Sequence, residues 1–211
     1  FMLNIIKIIR PHQYIKNLFV FAPMFFSFSF TSSNFFNVFT VFVLFSLLAS
    51  SIYVFNDLMD IEEDKQHPNK RFRPLANGKI KTSAAKIIIF IFASIPLGIS
   101  FIINLKLFFI LISYLLVNIA YSLKLKHIAI VDIFIIGIGF IMRLFAGTSV
   151  ILVPLSMWII IMTFLLSLFL AIAKRRDDVL LSTQGKETRK NIHGYNLEFA
   201  NALLVFMAGG I

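Results

Sequence analysis

Residues 35–64 read FFNVFTVFVLFSLLASSIYVFNDLMDIEED. The first 21 positions, Phe35 to Phe55, hold no charge, and the next nine hold five carboxylates: Asp57, Asp60, Glu62, Glu63 and Asp64. A helix needs about 20 apolar residues to cross a hydrocarbon core of roughly 30 Å, and this run meets that length. Its apolarity is uniform rather than alternating, which argues against a membrane strand. The reading is therefore a transmembrane helix that ends in a cluster of acids.

The rest of the chain repeats the first half of that pattern. Runs almost free of charge occupy Leu18–Phe30, Ile87–Ile103, Leu107–Leu123, Ile128–Ala146 (apart from Asp132 and Arg143), Leu155–Ala173 and Leu197–Ile211 (apart from Glu198). The 211 residues are 59% hydrophobic and only 14% charged, with 26 phenylalanines and a mean hydropathy of +0.89. Soluble domains average about 45–50% apolar and about 25% charged residues, so a soluble globule is excluded, and disorder with it. The net charge of +10 would suggest nucleic acid in a polar chain, but here it points to the membrane surface and to no nucleic-acid partner. Without cysteine there is no thiolate chemistry and no disulfide. The first run follows Lys7 and Arg10 as a signal peptide would, but it lacks a small-residue cleavage site and contains Pro23, so it reads as a retained helix. The expected fold is all-α, a polytopic bundle of six complete transmembrane helices and part of a seventh. Residues 1–211 are expected to form a single integral-membrane domain that lacks its C-terminal helices.

Charge sets the orientation. The loops on one side carry Lys7, Arg10 and Lys16; Lys65, Lys70, Arg71, Arg73, Lys79, Lys81 and Lys86; Lys124 and Lys126; and Lys174, Arg175, Arg176, Lys186, Arg189 and Lys190. That is 18 of the 20 basic residues, and the opposite loops carry only Lys106. The positive-inside rule makes the rich side, with the N-terminus, cytoplasmic.

Eight of the ten acids fall on that same side: Asp57, Asp60, Glu62, Glu63, Asp64, Asp177, Asp178 and Glu187. Anchoring a loop needs Lys and Arg but not carboxylates gathered at helix ends. If the helix continues past Phe55, Asn56, Asp60 and Asp64 stack at i, i+4 and i+8, with Asp57 beside them. Oxygen ligands so placed at a helix C-terminus repel one another and the dipole, and a hard cation relieves both. Mg²⁺, which takes one or two carboxylates plus substrate phosphates, suits such an open site. A solvated acidic turn balanced by the following lysines is the alternative.

The next segment, His67 to Gly78, holds Pro68, Pro74 and Gly78, so it is a shaped loop. Its Lys70, Arg71 and Arg73 suit an anion with several phosphates, or equally lipid headgroups. A second cluster, Lys174-Arg175-Arg176-Asp177-Asp178, ends the sixth run on the same side, and with the first it suits a diphosphate bound through metal. Asp132 and Arg143 lie inside the fifth run, eleven residues apart, too far to pair within a straight helix, so each is expected to find a partner elsewhere or to snorkel. Tyr121 and Trp158 fit an interfacial aromatic belt. His12, His67, His127 and His193 show no metal spacing.

The pattern Asn-Asp-x-x-Asp-x-x-x-Asp at 56–64, followed by Lys70-Arg71-Phe72-Arg73-Pro74-Leu75-Ala76-Asn77-Gly78, resembles the first aspartate-rich signature of the UbiA-type intramembrane prenyltransferase superfamily. Arg10-Pro11-His12-Gln13-Tyr14-Ile15-Lys16-Asn17, Tyr121 to His127, and Asp132 to Gly147 with Arg143 resemble further parts of it, so the likeness covers essentially the whole chain. Within the superfamily the basic loop and Lys174-Arg175-Arg176 look most like the polyprenyl-phosphate (decaprenyl-phosphate) phosphoribosyltransferase branch. Leu181 and Ser182 stand where aromatic prenyltransferases have a further carboxylate.

The resemblance implies nine helices in the full protein and a transferase of the bacterial or archaeal plasma membrane, with a cytoplasmic active site. The implied reaction is Mg²⁺-dependent transfer of a 5-phosphoribosyl group from phosphoribosyl diphosphate to a polyprenyl phosphate. Asn56, Asp60, Asp64 and Asp178 would be the metal ligands, and Asp57, Asp60, Asp64 and Asp178 the catalytic acids. Lys16, Asn17, Lys70, Arg71, Arg73, Tyr121, Lys126, Arg143, Lys174 and Arg175 would bind substrate. Membrane lipids are the other partners, and the sequence leaves room for a homo-oligomer. The rival enzyme reading is transfer of a prenyl group from its diphosphate to an aromatic or other lipid acceptor. A transporter is the non-enzymatic rival, but transporters place their charges near the bilayer midplane, not at helix ends.

Overall fold

The structure, a computed structural model, describes residues 2–151, 153–183 and 195–210. Lys186, Glu187, Arg189, Lys190 and His193 lie outside the described residues, as do the side chains of Leu181 and Ser182. Every regular element among the described residues is helical: α1 Met2–Ile9, a 3₁₀ helix η1 Pro11–Phe21, α2 Ala22–Phe26, α3 Ser32–Met59, α4 Ile61–Gln66, η2 Lys70–Phe72, α5 Thr82–Ile103, α6 Leu105–Leu123, η3 Leu125–His127, α7 Val131–Ile151, α8 Met157–Thr183 and α9 Leu197–Gly210. Five of them, α3 and α5 to α8, are long and apolar enough to cross a membrane. This is an all-α membrane helix bundle. At 1.5 Å per residue α3 is about 42 Å long and α8 about 40 Å, both longer than the roughly 30 Å hydrocarbon layer. The surplus turns carry the polar ends, Asn56–Met59 on α3 and Lys174–Asp178 on α8.

The first expected span takes another form. Leu18–Phe30 is divided between η1 and α2, because Pro11 opens the 3₁₀ helix and α2 stops at Ser27 before Phe28, whose φ is 53°. An eleven-residue 3₁₀ helix is unusually long. At three residues per turn it places Tyr14, Asn17 and Val20 in one row, and α3 supplies matching partners. Tyr14 Oη lies 2.8 Å from Ser50 Oγ, and Asn17 Nδ2 donates to Ser46 Oγ at 3.0 Å.

The chain packs as two compact units, Phe1–Ser122 with Arg143–Pro154, and Leu123–Met142 with Leu155–Ile211. In the first, α3 packs against α5 and η1. Gly147 is pressed so close to the 3₁₀ helix that a Cβ there would stand 2.1 Å from the Val20 carbonyl oxygen. Where α3 ends, Ile8, Val54, Leu75, Ile80 and Ala85 form a small core that ties the 74–80 loop to the helix. In the second unit α8 packs on α9 around Ile133, Leu168, Ile172, Val179, Tyr195 and Ala200, and Gly137 receives the Phe164 ring.

Candidate active site

The helix expected to continue through residue 64 breaks at Asp60 (φ −98°, ψ 11°). The break relieves the electrostatic problem of a carboxylate cluster at a helix C-terminus. Glu62, Glu63 and Asp64 now occupy the first turn of α4, where the dipole favours negative charge. Helix-type bonds bridge the break, from Asp60 N to the Asn56 carbonyl (3.0 Å) and from Asp64 N to the Asp60 carbonyl (2.8 Å). Asp57 and Asp64, two turns apart, are therefore both buried, at 1% and 2% exposure, and share one partner. Arg73 Nη1 donates to Asp57 Oδ1 at 3.0 Å and to Asp64 Oδ2 at 2.7 Å.

The loop places Arg73 there. Pro74, Leu75 and Ala76 are buried, Ile80 N donates to the Pro74 carbonyl, and the turn closes through Gly78 at φ 74°. Arg71, two residues earlier, is exposed and lies over the Phe72 ring instead. A second guanidinium comes from Arg10, which sits in the left-handed region (φ 54°) between α1 and η1. Its Nη2 donates to Asp57 Oδ1 at 2.5 Å, and it stacks over Tyr53. Arg10 was absent from the sequence-based site. Its position directly before Pro11, at the end of an apolar helix, is the available signal.

Two buried oxygens here, Asn56 Oδ1 and Asp57 Oδ2, have no hydrogen-bond partner. Unpartnered hard oxygen donors beside Asp60 and Asp64 fit a hard divalent cation. Among the described residues no group of three His, Asp or Glu side chains is placed to hold a metal ion by itself.

Asn17 and Arg143 also meet within this unit. Arg143 Nε donates to Asn17 Oδ1 at 2.9 Å and Nη2 to Tyr114 Oη at 3.1 Å, with the guanidinium over the Phe45 and Tyr114 rings. Both residues are buried, whereas Lys16 is exposed and Lys70 and Tyr121 are half-buried.

In the second unit Asp132 and Arg175 form a buried pair, Nε to Oδ2 at 2.7 Å, and Arg175 Nη1 reaches Asp178 Oδ2 at 3.4 Å. Tyr195 donates its hydroxyl proton to Asp132 Oδ1 and accepts from the Ile130 backbone N–H at 2.8 Å. Burial and the bond to the Asp132 carboxylate push the Tyr195 phenol well above its ordinary range. Lys126 is half-buried in η3, and Lys174 is exposed. Each intramembrane ion thus has partners on other elements, as expected. Tyr195 lies 63 residues from Asp132, and no local pattern marks it.

Five long apolar helices, with carboxylates and guanidinium groups gathered at helix ends, define a polytopic membrane protein with polar sites at those ends. The chain belongs to the UbiA prenyltransferase family, whose model matches residues 18–208. Decaprenyl-phosphate phosphoribosyltransferase of Mycolicibacterium smegmatis is 37% identical over 202 residues, 93% of this chain and 64% of that one. The Mycobacterium tuberculosis protein of the same name is 32% identical over 198 residues, 91% of this chain and 66% of that one. The chain thus spans about two thirds of the length of these relatives. A UbiA homolog from Archaeoglobus fulgidus, solved with DMAPP and Mg²⁺, shares the fold. Its TM-score is 0.78 at 19% identity, covering 98% of this chain and 74% of that one.

Proposed function

We propose that the protein transfers a 5-phosphoribosyl group from phosphoribosyl diphosphate to a polyprenyl phosphate, with Mg²⁺, at the cytoplasmic face of the membrane. The observation that carries this reading is the similarity, over nine-tenths of the chain, to relatives bearing that name. The chemistry of the first unit agrees with it. Asn56, Asp60 and Asp64, with Asp57 beside them, would hold the metal, and Asp178 would be the corresponding acid of the second unit. Bound Mg²⁺ would neutralise charge that builds on the departing diphosphate.

The protein's own residues bind and orient. Arg73 and Arg10 are guanidinium groups already fixed at the carboxylates, so little ordering is needed when a phosphate oxygen arrives. Lys70, Arg71, Lys126 and Lys174 add positive charge for the phosphates of both substrates, and Arg175, buried and paired with Asp132, acts there through Asp178. An oxygen of the polyprenyl phosphate attacks the anomeric carbon of the ribose. The new carbon–oxygen bond forms as the bond to diphosphate breaks, and diphosphate leaves with the electron pair. The nucleophile is already anionic, so no strong general base is required, and positioning with charge stabilisation suffices.

The full-length protein, purified and supplied with Mg²⁺, tests this in two parallel reactions. Phosphoribosyl diphosphate with polyprenyl phosphate should yield a lipid-linked phosphoribose and free diphosphate. Prenylation of an aromatic acceptor from prenyl diphosphate, with no lipid-linked phosphoribose, would overturn the assignment within the family.

A further inference from the structure

We propose that Asp132 and Tyr195 are positioning residues that orient Arg175 toward Asp178 and lock the turn leading out of the Lys126 segment. This rests on the functional reading of Asp178 and Lys126 given above. Asp132 is fully buried at the start of α7, and both of its carboxylate oxygens are held. One oxygen takes Arg175 Nε, and the other takes the Tyr195 hydroxyl. Arg175, held from that side and itself buried, extends Nη1 to Asp178, whose side chain remains 20% exposed. The exposed carboxylate is thus oriented by a guanidinium anchored behind it.

Tyr195 also acts on the backbone. Its hydroxyl oxygen accepts from Ile130 N–H, and Ile130 has φ 71°. A β-branched residue in the left-handed region is strained, and such strain persists only where surrounding contacts over-determine it. The Tyr195 hydroxyl holds the Ile130 N–H, and the Phe134 N–H holds its carbonyl at 3.1 Å. Ile130 closes the short connection from η3, which carries Lys126, to α7, which carries Asp132. One phenol therefore fixes the exit of the lysine segment and one face of the aspartate.

A purely structural staple is the competing account. Buried ion pairs contribute little net stability compared with apolar packing, and a strained β-branched residue subtracts from it. The arrangement is a poor device for stability and a good one for fixing the geometry of groups that hold phosphate.

The experiment uses the full-length protein in detergent, with Mg²⁺ and inorganic diphosphate as the calorimetric probe. Tyr195→Phe removes only the hydroxyl and keeps the ring in its apolar cluster with Ile133, Leu168 and Ile172. It should leave the melting temperature within a few degrees while weakening diphosphate binding about tenfold. Glycine adopts φ 71° without strain, and Ile130 is 43% exposed, so little packing is lost on its replacement. Adding Ile130→Gly to Tyr195→Phe should therefore recover most of that affinity. Asp132→Asn releases Arg175 and should stay weak with or without Ile130→Gly. Wild-type binding by Tyr195→Phe, or no recovery in the double variant, overturns the proposal while leaving the function intact. A wild-type protein that binds no diphosphate overturns the functional reading and this proposal with it.

Discussion

Arg73 Nη1 stands 2.7 Å from Asp64 Oδ2, and the same nitrogen reaches Asp57 at 3.0 Å, so one guanidinium links the last turns of α3 to the first turn of α4. Both carboxylates are buried and Arg73 is 27% exposed. Removing one partner of a buried pair costs about 3–5 kcal/mol, and the partial exposure of Arg73 lowers the expectation to about 2–3 kcal/mol. Arg73→Ala should therefore lower the melting temperature and abolish turnover. Arg73→Lys keeps the charge but lacks the planar fork, and should recover more stability than activity. Thermal unfolding and turnover, measured on the same preparations, separate the two effects.

Activity should depend absolutely on a divalent cation. The unpartnered oxygens of Asn56 and Asp57 lie beside Asp60, which is half-buried at the helix break. Asp60→Ala should reduce turnover by at least a hundredfold and leave the melting temperature nearly unchanged. Excess EDTA should silence the wild type, with Mg²⁺ restoring it. Full turnover in EDTA would exclude the metal.

The charge asymmetry predicts the sidedness of the site. The chain has no cysteine, so single cysteines report cleanly. Asn69 and Ser33 are both exposed. A thiol reagent that cannot cross the membrane should reach Ser33→Cys in intact cells and Asn69→Cys only after permeabilisation. The reverse pattern would put the carboxylates on the outer face.

The long helices were legible because lipid demands uniform apolarity, which a sequence displays directly. The acids and bases at the ends of α3 and α8 were legible for the complementary reason: charge is excluded from the span and collects where it stops. What could not be read depends on geometry created by packing. Arg71 and Arg73 look equivalent in the sequence, yet the buried Pro74–Ala76 segment directs only Arg73 to the carboxylates. Asp60 looked like one step in a continuous row and proved to be the break that hands Asp64 to a new helix. Tyr195 and Arg10 meet their carboxylates across 63 and 47 residues, and pairs between elements leave no local periodicity.

Gly147 should be among the least tolerant positions of the first unit. An alanine methyl would meet the Val20 carbonyl, a backbone atom that cannot rotate away, so Gly147→Ala should cost about 3 kcal/mol or more. The same push would shift the η1 row and, through Asn17, the Arg143 guanidinium. Gly98 in α5 has nothing within 4 Å of a built Cβ, so Gly98→Ala should be neutral or stabilising by about 0.5–1 kcal/mol. Equal melting temperatures for the two variants would contradict the packing of η1.

The Tyr195 hydroxyl should contribute stability with a defined pH limit. Its folded-state pKa lies above the ordinary phenol value of about 10, chiefly through burial and then through the bond to Asp132. A raised pKa means that the fold favours the protonated form. Below pH about 10 the phenol is protonated in both folded and unfolded chains, and the contribution is complete. As pH rises past that value the unfolded chain loses the proton first and gains stability relative to the fold, so the contribution declines. The difference in unfolding free energy between wild type and Tyr195→Phe should therefore be flat from pH 6 to about 9 and shrink above about 10. A difference that is already falling between pH 6 and 8 would mean that another group, and not the phenol, governs the interaction with Asp132.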